Sequence, residues 1–159
     1  MKLKNFLKFL FAFILCQGAG AVGSVYTLPA IPGWYESLQK PFFSPPNWVF
    51  GPVWTVLFTL MAIAAYLVWT KGLKEPAVRN ALIVFLVQLA LNSLWCFLFF
   101  GLRSPLYGLV DILFLWAMIL VTIAQFSKVS TPAALLMIPY ILWVTFASGL
   151  NLGIFFLNR

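Results

Sequence analysis

Apolar residues run through this chain in five long blocks, separated by short clusters of polar, glycine and proline residues. The blocks cover about residues 3–28, 48–70, 78–100, 105–126 and 132–157. Each reaches the ~20 residues that a helix needs to cross a bilayer. The pattern predicts an all-α integral membrane protein, a bundle of five transmembrane helices in one domain over residues 1–159. The punctuation supports these limits. Gly101-Leu102-Arg103-Ser104 reads as a tight turn before Pro105, and Thr131-Pro132 reads as a cap followed by a first-turn proline. Pro139 falls inside the fifth block and predicts a kink, because it removes a helical hydrogen bond.

One connection differs from the others. Residues 29–46 form the longest break, and the segment from Trp34 to Trp54 combines aromatic residues with Pro41, Pro45, Pro46 and Pro52. Lys40-Pro41-Phe42-Phe43-Ser44-Pro45-Pro46 favours extended or turn backbone, and Asn47 is a candidate N-cap for the second span. This predicts an ordered lid between helices 1 and 2. The first span is rich in small residues. Ala19/Gly23 and Gly20/Ser24 are spaced for close helix approach. Its basic start and Ala19-Gly20-Ala21 also fit a cleaved signal peptide. Gly149 and Gly153 predict a further packing surface on the last span.

Composition agrees with the membrane reading. Hydrophobic residues make up 64% of the chain and charged residues 8%, against about 25% charged in soluble domains. The net charge of +7 does not point to nucleic acid, since the basic residues cluster at helix ends and form no stripe. Seven of them (Lys2, Lys4, Lys8, Lys71, Lys74, Arg79 and Lys128) fall at one end, against Lys40, Arg103 and Arg159 at the other. The positive-inside rule then puts the N-terminus in the cytoplasm and the lid and C-terminus outside, in a bacterial inner membrane. For a eukaryotic chain the expected site is the mitochondrial outer membrane. There is no histidine, so the commonest metal and haem ligand is missing. Cys16 and Cys96 read as small buried hydrophobes.

Few polar residues lie at depth, and these are the informative ones. Gln88 and Asn92 share a face of span three with Trp95 one turn on. They read either as helix cross-links or as ligand-orienting groups. Asp111 is the only carboxylate within a span, roughly 9 Å along the helix from Pro105. A structural hydrogen bond is its plainer role. Asn151 shares a face with Tyr140, Trp143 and Ala147. Trp54, Trp95 and Trp143 are deep enough to require partners for their N–H groups. Together these residues would line a flat-walled aromatic cavity suited to a large planar apolar ligand.

Trp34-Tyr35 with Leu38-x-Lys40-Pro41, Pro45-Pro46 and Trp54 resembles the translocator protein (TspO, peripheral benzodiazepine receptor) family. So do Asn92-Ser93-x-Trp95, Asp111, and Pro139-Tyr140-x-x-Trp143-x-x-Phe146-Ala147-x-x-Leu150-Asn151. The similarity spans about residues 15–152. It implies five helices, often as a homodimer, with a pocket under the first loop for porphyrins, haem-related tetrapyrroles and synthetic isoquinoline or benzodiazepine ligands. It also implies that span one is retained rather than cleaved. By resemblance, Tyr35, Pro45, Trp54, Asn92, Trp95, Trp143 and Ala147 contact ligand, and Trp54 and Trp143 would be catalytic if the chain degrades porphyrin in light. No cofactor or metal is required; the tetrapyrrole is the ligand, and the other partner is the lipid bilayer. Animal members carry a sterol motif with a tyrosine and a basic residue near the end of span five. Here residues 150–159 hold no tyrosine, which argues against sterol. The expected function is therefore a tetrapyrrole receptor or carrier, with light-dependent porphyrin degradation as the alternative. A small proton-coupled drug exporter acting through Asp111 is the third reading.

Overall fold

The computed structural model describes residues 3–159; Lys2, counted above with the basic end, lies outside the described residues. Five helices in it are long and apolar enough to cross a membrane. Helix α1 runs Leu3–Ala30, α2 Phe50–Trp69, α3 Pro76–Cys96 and α4 Pro105–Val129. The fifth span is two helices, α5 (Thr131–Leu136) and α6 (Ile138–Leu157). They break at Met137, with Pro139 in the first turn of α6, where its missing N–H costs nothing.

The bundle closes as a ring. α1 packs against α2 and α3, α3 against α4, and α4 against α5 and α6. α2 completes the ring through α5 rather than α6. The second and fifth spans therefore meet near the lysine-rich end and part toward the lid. Small residues on α1 set its distance from its neighbours. A Cβ at Gly20 would lie 2.6 Å from Phe58 Cε2 on α2, and one at Gly23 would lie 2.8 Å from Cys96 Sγ on α3. Neither leaves room for a larger side chain. Ser93 Oγ adds a hydrogen bond to the Ala19 carbonyl at 3.1 Å.

Several local expectations need correction. Residues 29–46 are not all loop. α1 continues to Ala30, kinks at Pro32–Gly33, and makes a further wide turn through Tyr35. Gly33 supplies the kink with φ 119°, a region open to glycine and strained for other residues. Packing outweighs the proline punctuation here, because the turn buries Tyr35 against the α3 extension Phe97–Gly101. Asn47 caps nothing. It opens a short 3₁₀ turn, Asn47–Val49, after Pro46, with no side-chain capping bond. Thr131 is the first residue of α5 and Ser130 takes the cap position, also without a side-chain bond. Gly149 has open space beside it, and Gly153 receives the ring of Pro41 from the lid rather than a second helix.

Candidate functional site: an aromatic cavity beneath the lid

Where α2 and α6 part, the bundle holds a cavity of about 580 Å³. It is bordered by α1, α2, α3 with its extension, and α6. Six of the seven expected contact residues border it: Tyr35, Trp54, Asn92, Trp95, Trp143 and Ala147. Pro45 does not. It belongs to the part of the lid that leads into α2, and Trp48 and Asn47 take the cavity edge instead.

Each aromatic wall residue is held by a neighbour. Trp95 stacks on Phe99 at 5.0 Å, and its Nε1–H donates to Asn151 Oδ1 at 3.1 Å. Asn151 Nδ2 in turn donates to the Pro105 carbonyl at 2.8 Å, tying α3 and α6 to the first turn of α4. Trp54 leans on Phe58 at 5.5 Å and meets Tyr140 edge-on at 6.2 Å. Trp143 sits between Phe50 at 6.0 Å and Phe146 at 5.4 Å. Its Nε1–H is buried and has no acceptor among the described residues. A buried indole N–H left without an acceptor carries a desolvation cost.

The floor is a buried polar chain. Asn92 Nδ2 donates to the Tyr140 hydroxyl at 2.9 Å, and that hydroxyl donates to Gln88 Oε1 at 2.9 Å. Gln88 Nε2 faces Met61 Sδ at 3.9 Å. Gln88 and Asn92 therefore cross-link helices, and Asn92 also borders the cavity. Asp111 is buried and its Oδ2 has no partner among the described residues, so the expected hydrogen bond is not found at that oxygen, and the residue does not border the cavity.

The roof is latched. The Gln39 N–H donates to Asn158 Oδ1 at 2.9 Å, and Asn158 Nδ2 donates to the Gln39 carbonyl at 2.8 Å. Lys40 Nζ lies 4.7 Å from the Tyr35 ring centroid, and Phe43 packs edge-on against Phe146 at 6.1 Å. The lid is thus fastened to the C-terminal end of α6. On the bilayer side the cavity wall is partly open, with Ser24 and Leu28 of α1 and Gly51 and Thr55 of α2 both lining it and exposed.

This combination of five spans, latched roof and tryptophan wall fits the family resemblance, and comparison with known proteins decides it. The model of the TspO/MBR family matches residues 12–157. The chain belongs to the TspO/MBR family. It is 46% identical to the tryptophan-rich protein TspO of Chlorobaculum tepidum over 144 residues, 91% of each chain. It is 43% identical to the tryptophan-rich protein TspO of Archaeoglobus fulgidus over 154 residues, 97% of this chain and 99% of the relative. The translocator protein of Bos taurus is 40% identical over 134 residues, 83% of this chain and 79% of the bovine one. As a TspO/MBR protein with five apolar spans, this chain is an integral membrane protein.

Sequence reasoning missed the α1 side of the site. Gln17, Gly20 and Thr27 border the cavity, yet they had been passed over or read only as a packing surface. The one available signal was Gln17, a polar residue at depth; its Nε2 donates to Thr59 Oγ1 on α2 at 3.0 Å. Phe99 and Phe100 were indistinguishable from lipid-facing phenylalanines until their helix was placed.

Proposed function

We propose that this protein is a membrane receptor or carrier for tetrapyrroles and similar planar hydrophobic ligands, bound in the cavity beneath the lid. The observation that carries the reading is the wall itself. Tyr35, Trp54, Trp95 and Trp143 border one cavity, whose volume falls within the usual range for small-molecule sites. Flat rings favour a flat ligand, since offset and edge-on aromatic contacts each contribute about 0.5–1.5 kcal/mol beyond burial. The Asn92 amide, which borders the cavity, supplies a polar contact that orients it. With no histidine in the chain, an iron porphyrin gains no imidazole ligand here, and a metal-free macrocycle is bound as readily. The lysine-rich end faces the cytoplasm of a bacterial inner membrane, following the charge bias.

The test is a titration with protoporphyrin IX, followed by tryptophan fluorescence. Trp54→Phe combined with Trp143→Phe lowers affinity at least tenfold if the wall holds the ligand. Unchanged affinity sinks the assignment.

Light-dependent degradation of the bound porphyrin is a second reading, favoured by the two tryptophans that border the cavity from α2 and α6. Illuminating the complex separates the two. Loss of the porphyrin bands at the rate of free porphyrin in detergent leaves a binding protein; faster loss with a defined product makes it an enzyme. The exporter reading is weaker, because its coupling carboxylate, Asp111, stands away from the cavity.

A further inference from the structure

A second concavity lies at the opposite end of the bundle, on the outer surface between α1, α2 and α3. Its volume is about 360 Å³. Buried Ala12 and Ala65 form its floor, and exposed Phe11, Ile83 and Leu86 form its flanks. Two small residues in line leave a trough where larger ones would fill it. Every side chain that lines the trough is apolar or aromatic except one, Arg79. Arg79 stands in the first turn of α3, and Leu86 lies seven residues deeper, about 10 Å along the helix.

The end marked by Arg79 is basic. Trp69 lines the trough at the same level, and Lys8 Nζ sits 5.7 Å from the Trp69 ring centroid. Lys71 and Lys74 lie in the adjoining turn, where Glu75 is the only acidic residue. Among the described residues Arg79 forms no ion pair. The trough thus joins an apolar groove to a guanidinium with no ion pair among the described residues and to an ammonium, at the level of an interfacial tryptophan.

We propose that this trough is a binding site for an anionic phospholipid. One acyl chain lies along Ala12, Ala65 and Leu86, and the phosphate meets Arg79, with Lys8 as the second cation. A guanidinium offers two parallel N–H donors that match a phosphodiester, and basic pockets between spans at one membrane face suit such head groups. The charge separates this occupant from its rivals. A sterol has only a hydroxyl to offer to several cations. A second copy, related by a two-fold axis along the membrane normal, would bring Arg79 and Lys8 against their own like charges. The site is independent of the tetrapyrrole reading.

Native mass spectrometry of the full chain, with matched phosphatidylglycerol and phosphatidylcholine, tests the proposal. One phosphatidylglycerol per chain is retained preferentially. Arg79→Gln cuts that preference about fivefold, the effect of one interfacial cation. Lys128→Gln, at the same membrane face on α4, leaves it unchanged. Ile83→Trp, an exposed flank position, narrows the trough and reduces retention of both lipids while the fold is retained. Equal retention of the two lipids overturns the proposal. So does an unaltered preference in Arg79→Gln, or displacement of the lipid by a sterol at equal concentration.

Discussion

The two halves of this bundle are built from the same five spans and differ in what faces the axis. Toward the lysine-rich end the interior holds Ala62, Ala81, Ala133 and Ala134, with Val68, Val78 and the stacked pair Phe85 and Phe126 at 5.7 Å. Small side chains let backbones approach, and close packing is what holds helices together in lipid. Toward the lid the interior holds Trp54, Trp95, Trp143 and Phe99. These lean on neighbouring rings along the walls, and α2 and α6 stand apart. The chain Gln88–Tyr140–Asn92 marks the boundary between the halves. The cavity is therefore written in side-chain size, with a polar floor that stops it from collapsing into the packed half.

That contrast can be broken from either side. The largest effect is expected from overfilling the packed half. Ala81 is fully buried, and Ala81→Leu should cost up to ~3 kcal/mol, read as a lower thermal midpoint in detergent. Loss of stability no greater than that of an exposed substitution such as Ile83→Leu would mean the packed half is looser than described. The floor comes next. Tyr140→Phe removes the hydroxyl and strands Asn92 Nδ2 and Gln88 Oε1 in a buried site, a cost of about 1–3 kcal/mol. Thermal unfolding of Tyr140→Phe checks this, and Gln88→Leu with Tyr140→Phe should recover part of the loss because no acceptor is then left stranded. The smallest effect belongs to the roof. Asn158→Ala deletes both hydrogen bonds to Gln39 at an exposed position, so stability should change by less than about 1 kcal/mol, while ligand dissociation should quicken several-fold in stopped-flow measurements. Equal dissociation rates would mean that the latch does not control release.

How far the sequence alone reaches follows the same division. The five spans were legible because a bilayer leaves few options for an apolar block of that length. Trp54, Asn92, Trp95 and Trp143 could be grouped because helical spacing puts polar and aromatic residues on shared faces. Tyr35 was placed at the cavity but assigned to a loop, because Pro29 and Pro32 read as helix breakers when only the local chain is visible. Its burial against Phe100 at 5.5 Å is a long-range contact that no local pattern encodes. Pro45 was drawn in with its neighbours, and the chain turns so that Asn47 and Trp48 reach the cavity instead. Gln17, Gly20 and Thr27 stayed out of view because the face of α1 that borders the cavity is set by how α1 packs on α2 and α3. The distance between two helices is set by pairs of residues far apart in the chain, such as Gly20 with Phe58, rather than by either helix alone.

Ligand binding in the lid-side cavity is tested most directly at Ala147. Ala147 borders the cavity from α6, so a larger side chain there can grow into open volume instead of a packed core. The measurement is protoporphyrin IX affinity of Ala147→Phe by fluorescence titration, with thermal stability recorded alongside. Affinity should fall at least tenfold, with stability close to that of the parent chain. Parent-like affinity in a stably folded Ala147→Phe would contradict binding in this cavity.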